Sequence, residues 1–234
     1  MHPPDRRRRN QSIKMMPRRT TAMIPSGHAH LSVSTSLSFG SVDIEATVTR
    51  DAAVADAWVR ALRASQPRGA PLVVGFDCKW NCRQAPARGP AAWMAPPRAA
   101  VLQLSAAAGC LVLQLLYLTR APEVLRGFLR DPRVRLVGVG VANAAARLAA
   151  DHGLVCVSAV ELEGPCDDYL GLVGGGKLGL KEYAKEVLDL NMEQPVSVAM
   201  SDWEKPRLDA SQVGYACVDA YVSYRLGERV LLGR

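Results

Sequence analysis

Residues 72–80, LVVGFDCKW, form a nearly unbroken apolar run that closes on an acid, a cysteine and a base. Bounded in front by SQPRGAP and behind by a long Pro-, Ala- and Arg-rich connection, such a run reads as a strand buried inside a sheet. Because side chains alternate along a strand, Asp77 and Lys79 project to the same face at its end. A chain that contains this strand must also supply neighbours on both sides and layers to cover the sheet.

The rest of the sequence offers them. VDIEATVT, Val42–Thr49, alternates like a strand, and Asp51 is placed to cap a helix with Val54, Trp58 and Leu62 on one face. AAVLQLSA and CLVLQL flank a tight turn around Gly109 and predict an antiparallel meander with the strand at 72–80. A helix opening at Ala121 and Pro122 and ending before Asp131 and Pro132 follows. Then come a strand RLVGVGV, a helix through Ala144 to Asp151, a short strand LVCVSAV, and helical segments to the end. In the last of these, Asp209 and Gln212 make a capping signature ahead of an apolar stripe at Val213, Ala216, Cys217, Ala220 and Tyr224. Strands first, then strands alternating with helices, predict an α/β domain: a mixed sheet flanked by helices.

The division of charge bears on function. The formal net charge is +7, but residues 1–20 hold seven basic side chains against Asp5, so residues 21–234 carry only +1. Residues 1–40 are expected to form a disordered basic arm, with the folded domain at 41–234. The arm suits a nuclear-import signal or nucleic-acid-binding tail; an organelle transit peptide is the alternative, as is no targeting role. A nuclear location is the expectation carried forward. Six cysteines without C-x-x-C spacing predict reduced thiols rather than a zinc site or a disulfide framework. No run of eighteen apolar residues is present, so a soluble chain with no membrane partner is expected.

Three segments stand in a telling order: GFDCKW at the end of a core strand, GVGVANAAARL at a strand-to-helix turn, and YACVDAY on the final helix. With AVLQLS, DPRVRLVGVGV and SDWEKPRLDASQVGYACVDAYVSY in support, the chain resembles the Werner-syndrome-type 3'-5' exonuclease domain, and most of all its plant members. That domain is a DEDD-superfamily nuclease related to RNase D, and the resemblance covers residues 42–232. It implies a ribonuclease-H-like fold, DNA or RNA 3' ends as substrate, and two Mg2+ or Mn2+ ions held by four carboxylates, with a tyrosine orienting the attacking water. Two ions about 3.5–4 Å apart clamp the attacking and leaving oxygens while the phosphate gains charge.

Carried over residue by residue, the family's Asp-x-Glu motif falls on Asp77, Cys78 and Lys79, and its second aspartate falls on Ala144, beside Asn143. Its Tyr-x-x-x-Asp motif is intact as Tyr215 and Asp219, which share one helix face. The resemblance thus gives Asp77 and Asp219 as metal ligands and catalytic residues together with Tyr215. Arg83, Arg88 and Arg98 are the candidates for nucleic-acid contact. Two acids of four are replaced, one by a cation. A lysine ammonium between two carboxylates repels a divalent ion, so the expectation is a nucleic-acid-binding protein with weak or absent hydrolysis. The alternative is a catalytically dead module that binds a protein partner, such as an active exonuclease. Trp80, Trp93 and Trp203 are assigned to packing rather than to base stacking. GLVGGGKL at 171–178 resembles a phosphate-binding P-loop, but Leu178 stands where Ser or Thr is needed, and the segment reads as a glycine linker.

Overall fold

The computed structural model describes residues 17–18, 32–67, 69, 71–81, 97–107, 109–173 and 178–234. Among these, one eight-stranded mixed sheet runs in the order β1-β2-β3-β6-β5-β4-β7-β8. Its strands are β1 (Pro17–Arg18), β2 (Ser32–Phe39), β3 (Val42–Thr49), β4 (Leu72–Lys79), β5 (Val101–Ala106), β6 (Gly109–Gln114), β7 (Val134–Gly138) and β8 (Ala159–Glu161). The predicted meander is present: β4, β5 and β6 pair antiparallel, while β3 joins β6, and β7 joins β4, in parallel. Among the described residues, no helix is long and apolar enough to cross a membrane.

The helices are α1 (Ala52–Ser65), α2 (Glu123–Leu129), α3 (Val141–His152), α4 (Glu163–Leu170), α5 (Leu180–Leu188), α6 (Val196–Ala199) and α7 (Ala210–Leu232). They cover both faces of the sheet and create two apolar cores. Val74, Phe76 and Cys78 of β4 pack with residues of α1, α2 and α3, whereas Val73 packs with α5 and α7. Full burial of a Val, Leu or Phe side chain contributes about 1.5–3 kcal/mol, so a strand buried on both faces anchors the domain.

Four expectations change. Ser32–Phe39 form a strand paired along its length with β3 rather than a disordered segment, joined through a two-residue turn with Gly40 at φ 62°. Leu37 and Phe39 are buried in the α7-side core, which is what holds this strand in place. LVCVSAV contributes only Ala159 and Val160 to β8, leaving Val157 exposed. The buried face of α1 is Ala55, Val59 and Leu62, with Asp56 accepting a hydrogen bond from Leu125 N at 3.0 Å, so α1 is rotated to cap the start of α2. Finally, α7 is no stripe: residues from Gln212 to Ser223 are buried all round, as a helix covered on every side must be.

Gly75 sets the distance between sheet and helix. A Cβ there would lie 1.8 Å from the carbonyl oxygen of Ala220 and 2.6 Å from Tyr224 N, both backbone atoms that cannot swing aside. Gly75→Ala is expected to lower unfolding free energy by about 3 kcal/mol, the upper end for overpacking a core. Chemical denaturation measures this, and a variant as stable as the parent contradicts the packing described.

Candidate functional site

The strand and helix that meet at Gly75 bring the candidate residues together. Two steps along β4 from Gly75 stands Asp77, and two further stands Lys79, both on the α7 side; on α7, Asp219 immediately precedes Ala220. Lys79 Nζ lies 2.5 Å from Asp77 Oδ2 and 2.6 Å from Asp219 Oδ2. It also sits 4.7 Å from the centre of the Tyr215 ring, one helical turn before Asp219. One ammonium therefore touches all three residues that the sequence singled out.

Two more side chains complete the cluster. Gln194 Nε2 donates to Asp219 Oδ1 at 2.8 Å, so both oxygens of Asp219 are occupied. Asn81 Oδ1 accepts from Trp203 N at 2.7 Å, and its amide donates to Asp202 Oδ1, tying the end of β4 to the segment beyond α6. Trp203 is buried, as its assignment to packing requires, and leans on Tyr215 with ring centres 6.1 Å apart. Neither Gln194 nor Asn81 carries a local sequence signal, because each matters only through a partner far along the chain. Gln103, opposite Asp77 across the strand pair, is fully buried with neither amide atom hydrogen-bonded among the described residues.

The electrostatics follow from burial and contact. Burial disfavours charge on Lys79, but the attraction of Asp77 and Asp219 and their hydrogen bonds more than offset it, holding the ammonium protonated well above the ordinary lysine range. Burial pushes the Asp219 carboxyl upward, with Lys79 and Gln194 pulling against it. Burial likewise raises the Tyr215 hydroxyl, with Asp219 adding to the effect. Asp77 is the open side of the cluster, its side chain 27% exposed against 3% for Asp219. The cluster thus sets two carboxyl groups against a single ammonium.

The remaining candidates are placed differently. Ala144 is buried in the core on the α1–α3 side, while its neighbour Asn143 faces solvent. Arg98 does not reach over Asp77: it donates to the Asp151 carbonyl at 2.6 Å, at the end of α3. Arg83, Arg88 and Trp93 lie outside the described residues, as do residues 174–177 of the glycine linker. Trp80 is half-buried beneath the Arg147 guanidinium, 4.5 Å from its ring centre. Cys78, Cys110, Cys156, Cys166 and Cys217 are free thiols.

A mixed sheet layered by helices, with an acid-bearing central strand crossed by a Tyr-x-x-x-Asp helix, defines a ribonuclease-H-like α/β domain. No family model matches the chain. It is 30% identical over 160 residues to the exonuclease 3'-5' domain-containing protein 2 of Drosophila melanogaster, covering 68% of this chain and 25% of that one. It is 34% identical over 144 residues to the 3'-5' exonuclease of Drosophila yakuba, covering 57% and 40% respectively. The chain thus spans less than half the length of these relatives. Among solved structures, Escherichia coli RNase D superposes with a TM-score of 0.62 at 14% identity, over 79% of this chain and 44% of that one, a likeness of fold. The chain belongs to the 3'-5' exonuclease family, with a DEDDy-type domain.

The residues present do not suit the pair of divalent ions that the family implies. An ammonium already joins the two carboxylates, each Asp219 oxygen already accepts a hydrogen bond, and among the described residues no group of three or more His, Cys, Asp or Glu could hold a metal. Removing the cation tests the electrostatic account. Lys79→Met leaves Asp219 buried beside Asp77 without a counter-charge, which is expected to cost about 3 kcal/mol of stability at pH 7. A carboxyl whose folded-state pKa is raised is destabilising when ionised, so the deficit narrows as pH falls through that pKa. Urea unfolding at pH 7 and pH 5 reads both effects; equal stability of variant and parent contradicts them.

Proposed function

We propose that the chain is a nucleic-acid-binding domain of the 3'-5' exonuclease family whose hydrolytic centre is closed by its own lysine. The observation that carries this reading is the Lys79 ammonium between Asp77 and Asp219, at the place where the family resemblance puts metal ligands. Two-metal hydrolysis needs carboxylates free to bind both ions. Here the cation is covalently part of the chain, and Gln194 holds the oxygen that Lys79 leaves. On this reading Asp77, Asp219 and Tyr215 shape the pocket rather than act on a phosphate. Relatives named as 3'-5' exonucleases support nucleic acid as the ligand.

A protein partner is the second reading, favoured by a cleft of about 840 Å³ whose lining includes Leu170, Leu172, Leu190 and Met192, with exposed Tyr169 and Val173 nearby in the chain. Labelled oligonucleotides with single-stranded and recessed 3' ends, incubated with Mn2+, separate the possibilities. The nucleic-acid reading expects salt-sensitive binding without shortening of the strand. It further expects shortening to appear, by about tenfold or more over the parent, when Lys79→Glu replaces the internal cation with the acid that the family resemblance puts at that place. Shortening by the unaltered chain that Asp219→Ala abolishes contradicts the closed centre; absence of any binding favours the protein-partner reading.

A further inference from the structure

A second opening lies at the same end of the sheet, on the face away from α7. It is a cavity of about 420 Å³ lined in part by Arg98, Thr119, Arg120, Asp151, His152 and Leu154. That volume falls within the roughly 300–1,000 Å³ of small-molecule sites. The backbone joins it to the closed centre, since Ala100 N donates to the Lys79 carbonyl at 2.8 Å and Leu115 N donates to the Ala100 carbonyl at 2.8 Å.

The groups on its wall are arranged in advance. Arg98 is pinned by the Asp151 carbonyl, and Asp151 Oδ2 is taken up by Ala99 N at 2.7 Å, so the one acid here is already engaged. His152 Nε2 faces the Ala99 carbonyl at 2.7 Å; a carbonyl only accepts, so this nitrogen carries the hydrogen. Burial lowers the His152 pKa, leaving a neutral ring. Arg120 is exposed and makes no hydrogen bond or ion pair with the described residues. Two guanidinium groups face one carboxylate in this opening, where the closed centre sets two carboxyl groups against one ammonium. A phosphate is repelled by the second and attracted by the first.

We propose that this cavity binds a phosphate group through Arg98 and Arg120, and that the phosphate belongs to the backbone of a single-stranded nucleic acid. The proposal rests on the nucleic-acid reading above and relocates the contact from the Asp77 face to the end of α3. Guanidinium forks match phosphate oxygens in geometry as well as charge.

The test uses the full chain with Arg6, Arg7, Arg8 and Arg9 changed to Gln in every sample, so that the arm does not mask the domain. Fluorescence anisotropy follows a labelled 20-nucleotide single strand across a salt series, and calorimetry follows inorganic phosphate. Arg98→Gln with Arg120→Gln is compared with Arg130→Gln and Arg133→Gln at the opposite end of the sheet. Loss of this phosphate contact is expected to weaken oligonucleotide binding by about tenfold and flatten the log–log salt slope by about 0.7, the control pair having little effect. Arg120→Gln alone, which disturbs no contact among the described residues, is expected to weaken binding and flatten the slope in the same direction by a smaller amount. Oligonucleotide binding that ignores both Arg98 and Arg120 overturns this site and leaves the nucleic-acid reading standing. Arginine-dependent capture of inorganic phosphate without oligonucleotide binding overturns the strand assignment and the nucleic-acid reading together. Binding of neither probe overturns all of it.

Discussion

A carboxylate on a helix reaches a lysine on a strand only if the two backbones nearly touch, and in this domain the missing side chain of Gly75 lets them do so. With the Ala220 carbonyl seated where a Cβ would be, Asp219 is carried to the end of β4, within 2.6 Å of Lys79. The packing of the core and the chemistry of the site are one arrangement. The α7 helix that supplies Tyr215 and Asp219 is also buried on every side, so these groups are held by the same apolar contacts that stabilise the fold.

What that arrangement holds is an ion cluster rather than a vacant acidic pocket. Buried ion pairs stabilise a fold weakly, because desolvation offsets most of the attraction, yet removing one partner is strongly destabilising. Lys79 is thus hard to replace without repacking, and it confers a fixed positive charge where family members are expected to recruit ions. Gln194 adds a neutral donor to the same carboxylate, and Asn81 fixes the segment that carries Trp203. Asp219 is thus held by two separate parts of the chain, β4 through Lys79 and the segment before α6 through Gln194.

Much of this could be read before the fold was seen. The period of two along LVVGFDCKW placed Asp77 and Lys79 together, and the spacing of four put Tyr215 and Asp219 on one face; both patterns are local, and both survive in three dimensions. The strand at Ser32–Phe39 was also written in the sequence, as Val33, Thr35, Leu37 and Phe39 alternate with serines ahead of a Gly-Ser turn. Its polar composition and basic neighbour obscured it. Gln194 and Asn81 could not be found this way, since each acts across 25 or more residues of intervening chain. The path of Arg98 toward α3 is hidden for the same reason: it depends on where the Asp151 carbonyl ends up, 53 residues on.

One end of the sheet thus presents two different openings, a lysine-occupied acidic centre beneath α7 and an arginine-lined cavity beyond β5 and β6. The central claim is that Lys79 stands in for a metal. Calorimetric titration of the unaltered chain with Mn2+ tests it most directly: no binding of an ion pair at millimolar metal is the predicted result, and two ions bound tightly, with loss of binding on Asp219→Ala, would contradict it.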